Sequence, residues 1–354
     1  MEEGLNLQSE WCNVPIAKKF SVIPSFISRE KHYSVDVIGM LLEGVLLRGV
    51  CIQYAQKSIG LTSYPVKSKQ TVFNWIKWLS FYHPAELLEK AGAKGNGYLQ
   101  EDEGFQKEPS LRTYIPVIVD PNSQAVWHID YIDHVDEDTL FQSFEDFLDK
   151  ISFKVKGITK DKWQASNNAL KRLFNNLWIG YCHLHCQKKF QQALKEYRKD
   201  TGISVKESEE LYRKFSDILE NSTHGTDMLV KANMLEKEEK EAFSHPALKK
   251  RLDELKENSI NYTRHKEKKG MTKTTSIVDN FLKNAKRKLR EAMSFRTPES
   301  AKEFFRSMGN VRNFLPFTTG SKNAHKSPFM LSGGEAYNLP WMQVINVYNG
   351  FLFV

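Results

Sequence analysis

Three carboxylates sit in segments whose patterns would carry them to one place. They are Asp102 in Tyr98-Leu99-Gln100-Glu101-Asp102-Glu103-Gly104-Phe105, Asp161 in Gly157-Ile158-Thr159-Lys160-Asp161-Lys162-Trp163, and Asp279 in Thr275-Ser276-Ile277-Val278-Asp279-Asn280-Phe281. Hard divalent cations take oxygen ligands and keep water and phosphate in their remaining positions, so acids from three separate elements can hold a pair of Mg2+ or Mn2+ ions. That is a phosphoryl-transfer site in outline. Each acid alone has a plainer reading: Asp102 and Asp161 as surface carboxylates, Asp279 as an acid that suits the positive end of a helix.

The densest metal-like cluster is Gly180-Tyr181-Cys182-His183-Leu184-His185-Cys186-Gln187-Lys188-Lys189. Cysteine and histidine suit zinc, but closed zinc sites recruit a second ligand pair, and the other cysteines are Cys12 and Cys51. The segment therefore reads as a structural or nucleic-acid-contacting piece at a strand end. Four cysteines in 354 residues make no disulfide framework, so a reducing cytosol is the simpler compartment.

The elements that must position these residues fall into blocks. Residues 1–32 show weak periodicity and read as an arm. From Ser34, a plausible N-cap, Val37, Ile38, Leu41, Leu42 and Val45 recur at helical spacing. A short helix over 50–58 follows, then one over 69–79 with Val72, Trp75, Ile76 and Leu79 inward. Residues 33–92 thus read as a helix-turn-helix domain presenting Lys69, Gln70, Thr71 and Asn74 to a major groove, or as a plain three-helix packing module.

The glycines of 92–97 mark a boundary. Beyond it the pattern predicts strands over 98–101, 112–119 and 125–132, the last two joined by the turn Asp120-Pro121-Asn122-Ser123. A helix over 138–151, a strand over 153–159, a helix over 167–175 and a strand over 178–182 come next. Hairpin, then strands alternating with helices, implies an α/β fold with a mixed sheet. The first strand is expected to break at Gly104, and since successive side chains face opposite ways only one of Asp102 and Glu103 can serve the site. Asp102 is assigned, because Glu103 runs directly into the glycine.

Residues 187–270 turn almost wholly helical and charged, as a helical insertion or a solvated arm. A basic helix over 275–290 carries Lys283, Lys286, Arg287, Lys288 and Arg290 on its outer side, another spans 298–308, and the chain from 310 is loop-rich with an apolar end that must dock. The domains expected are an arm (1–32), a DNA-binding domain (33–92), a catalytic domain in two parts (93–190 and 271–354, the latter with the tail) and the insertion (191–270).

Lys and Arg number 51 against 43 Asp and Glu, a net charge of +8 that favours a polyanionic partner without naming one. The longest apolar stretch, 35–50, is interrupted by Asp36, Glu43 and Arg48, so no membrane span is expected. The N-terminus carries no secretion signal pattern.

Taken in order, Asp102, Asp161, Cys182-x-x-His185 and Thr275-Ser276-x-x-Asp279-Asn280 resemble the motifs of DDE transposases of bacterial insertion sequences, in lineages related to the Mutator-like elements. Phe295-Arg296-Thr297-Pro298-Glu299-Ser300-Ala301, Asn313-Phe314, Asn323-Ala324-His325-Lys326 and Gly333-Gly334-Glu335 extend the likeness across 33–335. The resemblance implies a ribonuclease H-like catalytic domain with a helical insertion. It implies a transposase that cuts and joins phosphodiester bonds at the ends of a mobile element by a two-metal mechanism, with Asp102 bridging both Mg2+ (or Mn2+) ions and Asp161 and Asp279 each completing one shell. Double-stranded DNA would be the partner, as terminal repeats and target, with Lys283, Lys286, Arg287 and Arg290 on its phosphates. A homodimer or higher oligomer on DNA and a cytoplasmic, nucleoid-associated location follow from the same likeness. The family usually has Glu where this chain has Asp279. The shorter acid leaves a second reading open, a catalytically inactive DNA-binding protein derived from a transposase, and a third, a structure-selective nuclease.

Overall fold

The computed structural model describes residues 33–60, 66, 68–107, 112–292, 295 and 297–350, and the arm expected over 1–32 lies outside them. Helix α1 (Val35–Leu46) starts where Ser34 accepts a hydrogen bond from the Val37 N–H, and buries Ile38, Leu41, Leu42 and Val45. After α2 (Ile52–Gly60), Ser68 caps α3 (Lys69–Leu79), which turns Val72, Trp75, Ile76 and Leu79 inward. Helix α4 (Pro84–Lys90) opens on a proline, whose missing N–H costs nothing in a first turn.

Strands β1 (Tyr98–Lys107), β2 (Arg112–Val119) and β3 (Val126–Ile129) lead to α5 (Glu137–Leu148), β4 (Gly157–Lys160), α6 (Gln164–Leu173) and β5 (Trp178–Tyr181). A helical run follows: α7 (His183–Thr201), α8 (Val205–Asn221), α9 (Gly225–Glu238), α10 (Pro246–Glu257), α11 (Ser259–Glu267) and α12 (Ser276–Ala292). The last helices are α13 (Pro298–Phe314), α14 (Pro328–Leu331) and α15 (Trp341–Asn349).

The chain forms two compact units, Lys94–Lys286 and the described parts of Met1–Ala93 with Arg287–Val354. The C-terminal stretch expected to complete the catalytic domain thus groups, from Arg287 on, with the N-terminal helices. In that unit α13 lies on α3: the Ser307 hydroxyl donates to the Ile76 carbonyl (2.6 Å) and the Asn310 amide to the Leu79 carbonyl (2.7 Å). The region from 310 is loop-rich, as expected, but also holds the end of α13 and two short helices. The apolar end docks as α15, burying Met342, Val344 and Ile345.

The unit Lys94–Lys286 is α/β, built on a five-stranded mixed sheet of order β3-β2-β1-β4-β5. Strands β3, β2 and β1 are antiparallel neighbours, whereas β1, β4 and β5 run parallel. Strand β1 corrects the sequence expectation. It does not end at Gly104; it pairs with β2 from Gln100↔Val119 to Lys107↔Arg112. Gly104 is there for packing, since a Cβ at this position would lie 2.9 Å from Leu282 Cδ2 of α12. A missing side chain lets helix and strand approach.

The helical run between β5 and α12 has a core of its own. Phe190 and Phe215 stack with ring centroids 3.8 Å apart, and Phe243, Leu248, Leu252 and Leu255 are buried with them. Charge is confined to its outer surface, so it is a packed insertion rather than a solvated arm. Among the described residues, no helix is long and apolar enough to cross a membrane.

Candidate metal centre

Alternation along β1 sorts its polar residues onto two faces. Gln100, Asp102 and Gly104 face α12, whereas Glu101 and Glu103 face the other way, toward α6. Neighbouring strands obey the same parity. Thr159 of β4 donates to the Thr272 carbonyl just before α12 (2.8 Å), and Lys160 points to the far side, where its ammonium meets Glu101 at 3.1 Å with both side chains fully buried.

Gln100 sets the position of α12. Its amide donates to the Thr274 carbonyl (2.8 Å) and the Thr272 hydroxyl (3.0 Å), while its Oε1 accepts from the N–H groups of Ile277 and Val278, both at 3.2 Å. All of its polar capacity is thus spent on the loop and first turn that carry Asp279. The outcome is a cluster of Asp102, His185 and Asp279, with one ligand atom from each within 4.8 Å of the others.

His185 stands in the first turn of α7, held by a hydrogen bond with Cys182. Cys182 Sγ in turn accepts from Thr275 through its N–H (3.3 Å) and its hydroxyl (3.2 Å), and that hydroxyl also reaches Asp279 at 3.4 Å. The Cys182-x-x-His185 motif therefore ties the start of α7 to the start of α12. The expectation of a strand-end role shifts by one element: Cys182 precedes α7 and His185 belongs to it.

The electrostatics are those of a crowded anionic pocket. Burial, then the hydrogen bond shared with Asp279, pushes Asp102 up to about 8. His185 is pushed up to about 9 by its bond to Cys182 and by the charges of Asp161 and Asp102, against the pull of burial. Burial would raise the Cys182 thiol, but the hydrogen bonds from His185 and Thr275 outweigh it and hold the thiol below its usual range. The buried Nδ1 of His185 has no protein partner.

Asp161 lines the same cleft, of about 680 Å³, but stands apart from the cluster. Both its oxygens meet the Lys189 ammonium (3.0 and 3.3 Å), and Oδ1 also accepts from the Lys162 N–H at 2.6 Å. Burial would raise Asp161, yet His185 and Lys189 hold it below the usual carboxylate range. Lys188, Lys283 and Lys286 line the cleft, and Phe105, Tyr114 and Trp163 form an aromatic wall, with ring centroids 5.0 Å apart for the first pair and 6.4 Å for the second.

Of the remaining residues singled out from sequence, Lys69, Gln70 and Asn74 are exposed on α3, with the Gln70 amide donating to Asn74 (3.0 Å), and Thr71 is half-buried. Arg287 is not a free outer cation: its guanidinium donates to the Leu47 carbonyl at 3.2 Å. The side chains of Lys288 and Arg290 lie outside the described residues. Sequence reasoning missed His185 as a ligand, Gln100 as an anchor and Lys189 as the partner of Asp161. The signals available were a buried amide in an apolar run and a His and Lys four apart on one helix face.

The three-residue cluster could hold a divalent cation, since two carboxylate oxygens and an imidazole nitrogen lie within 4.8 Å of one another. The sequence matches no protein-family model, and it matches no curated protein.

Proposed function

We propose that the unit Lys94–Lys286 is a phosphoryl-transfer domain acting on DNA, and that the chain is a DDE-type transposase with a ribonuclease H-like sheet. The observation that carries this is the meeting of Asp102 and Asp279, from opposite ends of the unit, in a cleft rimmed by lysines. The strand order and the helical insertion between β5 and α12 support the same reading.

Asp102, Asp279 and His185 would hold the cation. Carboxylates suit Mg2+ and Mn2+ and imidazole suits the transition ions, so Mn2+ is one ion that fits both donor types. When bound, such an ion activates water or a DNA 3′-hydroxyl and stabilises the leaving oxygen. Lys188, Lys283 and Lys286 bind backbone phosphates, giving an affinity that falls with salt. Phe105, Tyr114 and Trp163 close one side of the cleft with apolar surface. In the other unit, α1 to α3 form the helix-turn-helix that binds the element's terminal repeats through Lys69, Gln70 and Asn74. Synapsis of two ends makes a homodimer or larger assembly on DNA the working form, in the cytoplasm with the nucleoid.

A second reading, a DNA-binding protein that has lost its chemistry, is favoured by one feature: aspartate, not glutamate, at position 279. Incubation of the full chain with DNA bearing the element's ends and Mg2+ or Mn2+ separates the two. Joined strands support the transposase. Cutting without joining indicates a nuclease, and binding with neither indicates the inactive descendant.

A further inference from the structure

Helix α7 presents His185 and Lys189 one turn apart on the same face. They serve the two halves of the cleft differently. Among the described residues no lysine or arginine pairs with Asp102 or Asp279, whereas Asp161 is neutralised by Lys189 at both oxygens. Oδ1 of Asp161 is engaged a second time by the Lys162 N–H. A carboxylate held in this way has its charge matched and three of its roughly four acceptor sites taken, so a metal would have to displace the lysine, while among the described residues the Asp102 cluster has only the titratable His185 beside its acids. A lysine of fixed charge therefore serves the acid on one side, and a titratable imidazole the acids on the other.

We propose that this protein binds one divalent cation per chain, on Asp102, His185 and Asp279, and that the Lys189 ammonium occupies the place at Asp161 that a second cation would take. The inference rests on reading the cleft as a phosphoryl-transfer site, and it changes how that site is charged: a phosphate entering it meets one metal ion and an Asp161 whose charge the chain has already matched. Lys189 acts here through Asp161, as a positioning residue.

The test is calorimetric titration of the full chain with Mn2+ in the absence of DNA, with electron paramagnetic resonance of the bound ion. The wild type is expected to take one Mn2+ per chain with a mononuclear spectrum. Lys189→Met frees Asp161 and should raise the stoichiometry to two, with the spin-coupled spectrum of a neighbouring pair, while Lys189→Arg returns it to one. Two Mn2+ bound by the wild type would overturn the inference and leave the phosphoryl-transfer site intact. So would a Lys189→Met protein that is folded, by its circular dichroism, and still takes one. No binding at all would remove the cation site itself, and with it the reading on which the inference rests.

Discussion

Gln100 and Val278 lie 178 positions apart in the chain, yet the side-chain carbonyl of the first accepts the backbone N–H of the second at 3.2 Å. That bond, with its twin to Ile277, satisfies helix N–H groups that have no intrahelical partner. It also fixes α12, and so Asp279, against the strand that carries Asp102. Two carboxylates from distant segments are thereby held together.

Replacing Gln100 with leucine keeps the bulk and strands the two helix donors of Ile277 and Val278, while the Thr272 hydroxyl keeps its bond to the Thr274 carbonyl (2.9 Å). The expected cost is about 2 kcal/mol of unfolding free energy, from buried polar groups left without partners. Mn2+ affinity should fall as well, because the first turn of α12 loses its anchor. Urea unfolding and calorimetry measure the two effects. An unchanged affinity would mean that α12 is held by packing alone.

The pH dependence follows from two raised groups. Asp102 goes from 3.8 to about 8 and His185 from 6.5 to about 9 in the folded protein. A group raised on folding contributes stability that is fully present below its unfolded value and is lost as pH rises through its folded value. In the metal-free protein the Asp102 contribution therefore fades between about pH 4 and about pH 8, and the His185 contribution between about pH 6.5 and about pH 9. A cation requires both groups deprotonated, so its affinity should climb over pH 6.5 to 9, with protons released on binding. Thermal melts with and without Mn2+ across this range should show a stabilisation that widens with pH. A gap of constant size would contradict the assignment of these groups as ligands.

Much of this was legible in the chain, and the misses have physical causes. The strand over 112–119 follows from a short β-rich apolar run closed by the turn at Asp120, and the helix over 69–79 from the spacing of Val72, Trp75, Ile76 and Leu79. The run of β1 through Gly104 was not legible, because the glycine's purpose is to admit Leu282, a tertiary contact with no local signature. His185 stood in a motif that sequence could flag without assigning, since its role depends on where α7 begins relative to Asp102. The pairing of Asp161 with Lys189 needs two elements placed in space. Spacing along the chain brings acids toward one cleft but does not say which of them a lysine already neutralises.

Asp279 already shares a hydrogen bond with Asp102 and contributes to the cluster, so the shorter acid reaches its place. Asp279→Asn removes the charge and keeps the shape. It should weaken Mn2+ binding at least tenfold, about 1.4 kcal/mol. Asp279→Glu adds a methylene the geometry does not need, so activity should not rise. A marked gain in strand cleavage with the glutamate variant would show that length limits the native site and would favour the inactive reading of the parent.

On the opposite face of β1, Glu101 and Lys160 pair in full burial, joined by the Ser166 hydroxyl at 3.2 Å from Glu101 Oε2. Glu103 is pushed well above the usual carboxylate range by burial and by Glu101 beside it. One buried ammonium thus faces two acids on one strand. Removing Lys160 alone leaves Glu101 without the cation that pairs with it, and a broken buried pair typically costs about 3 to 5 kcal/mol. Lys160→Met should fall in that range, whereas adding Glu101→Gln should recover about half or more, since the remaining polar groups are then neutral. A double-mutant cycle by urea unfolding reads the coupling directly. If the two losses simply add, the pair holds no shared charge, and the sheet beneath the metal cluster is stabilised by packing instead.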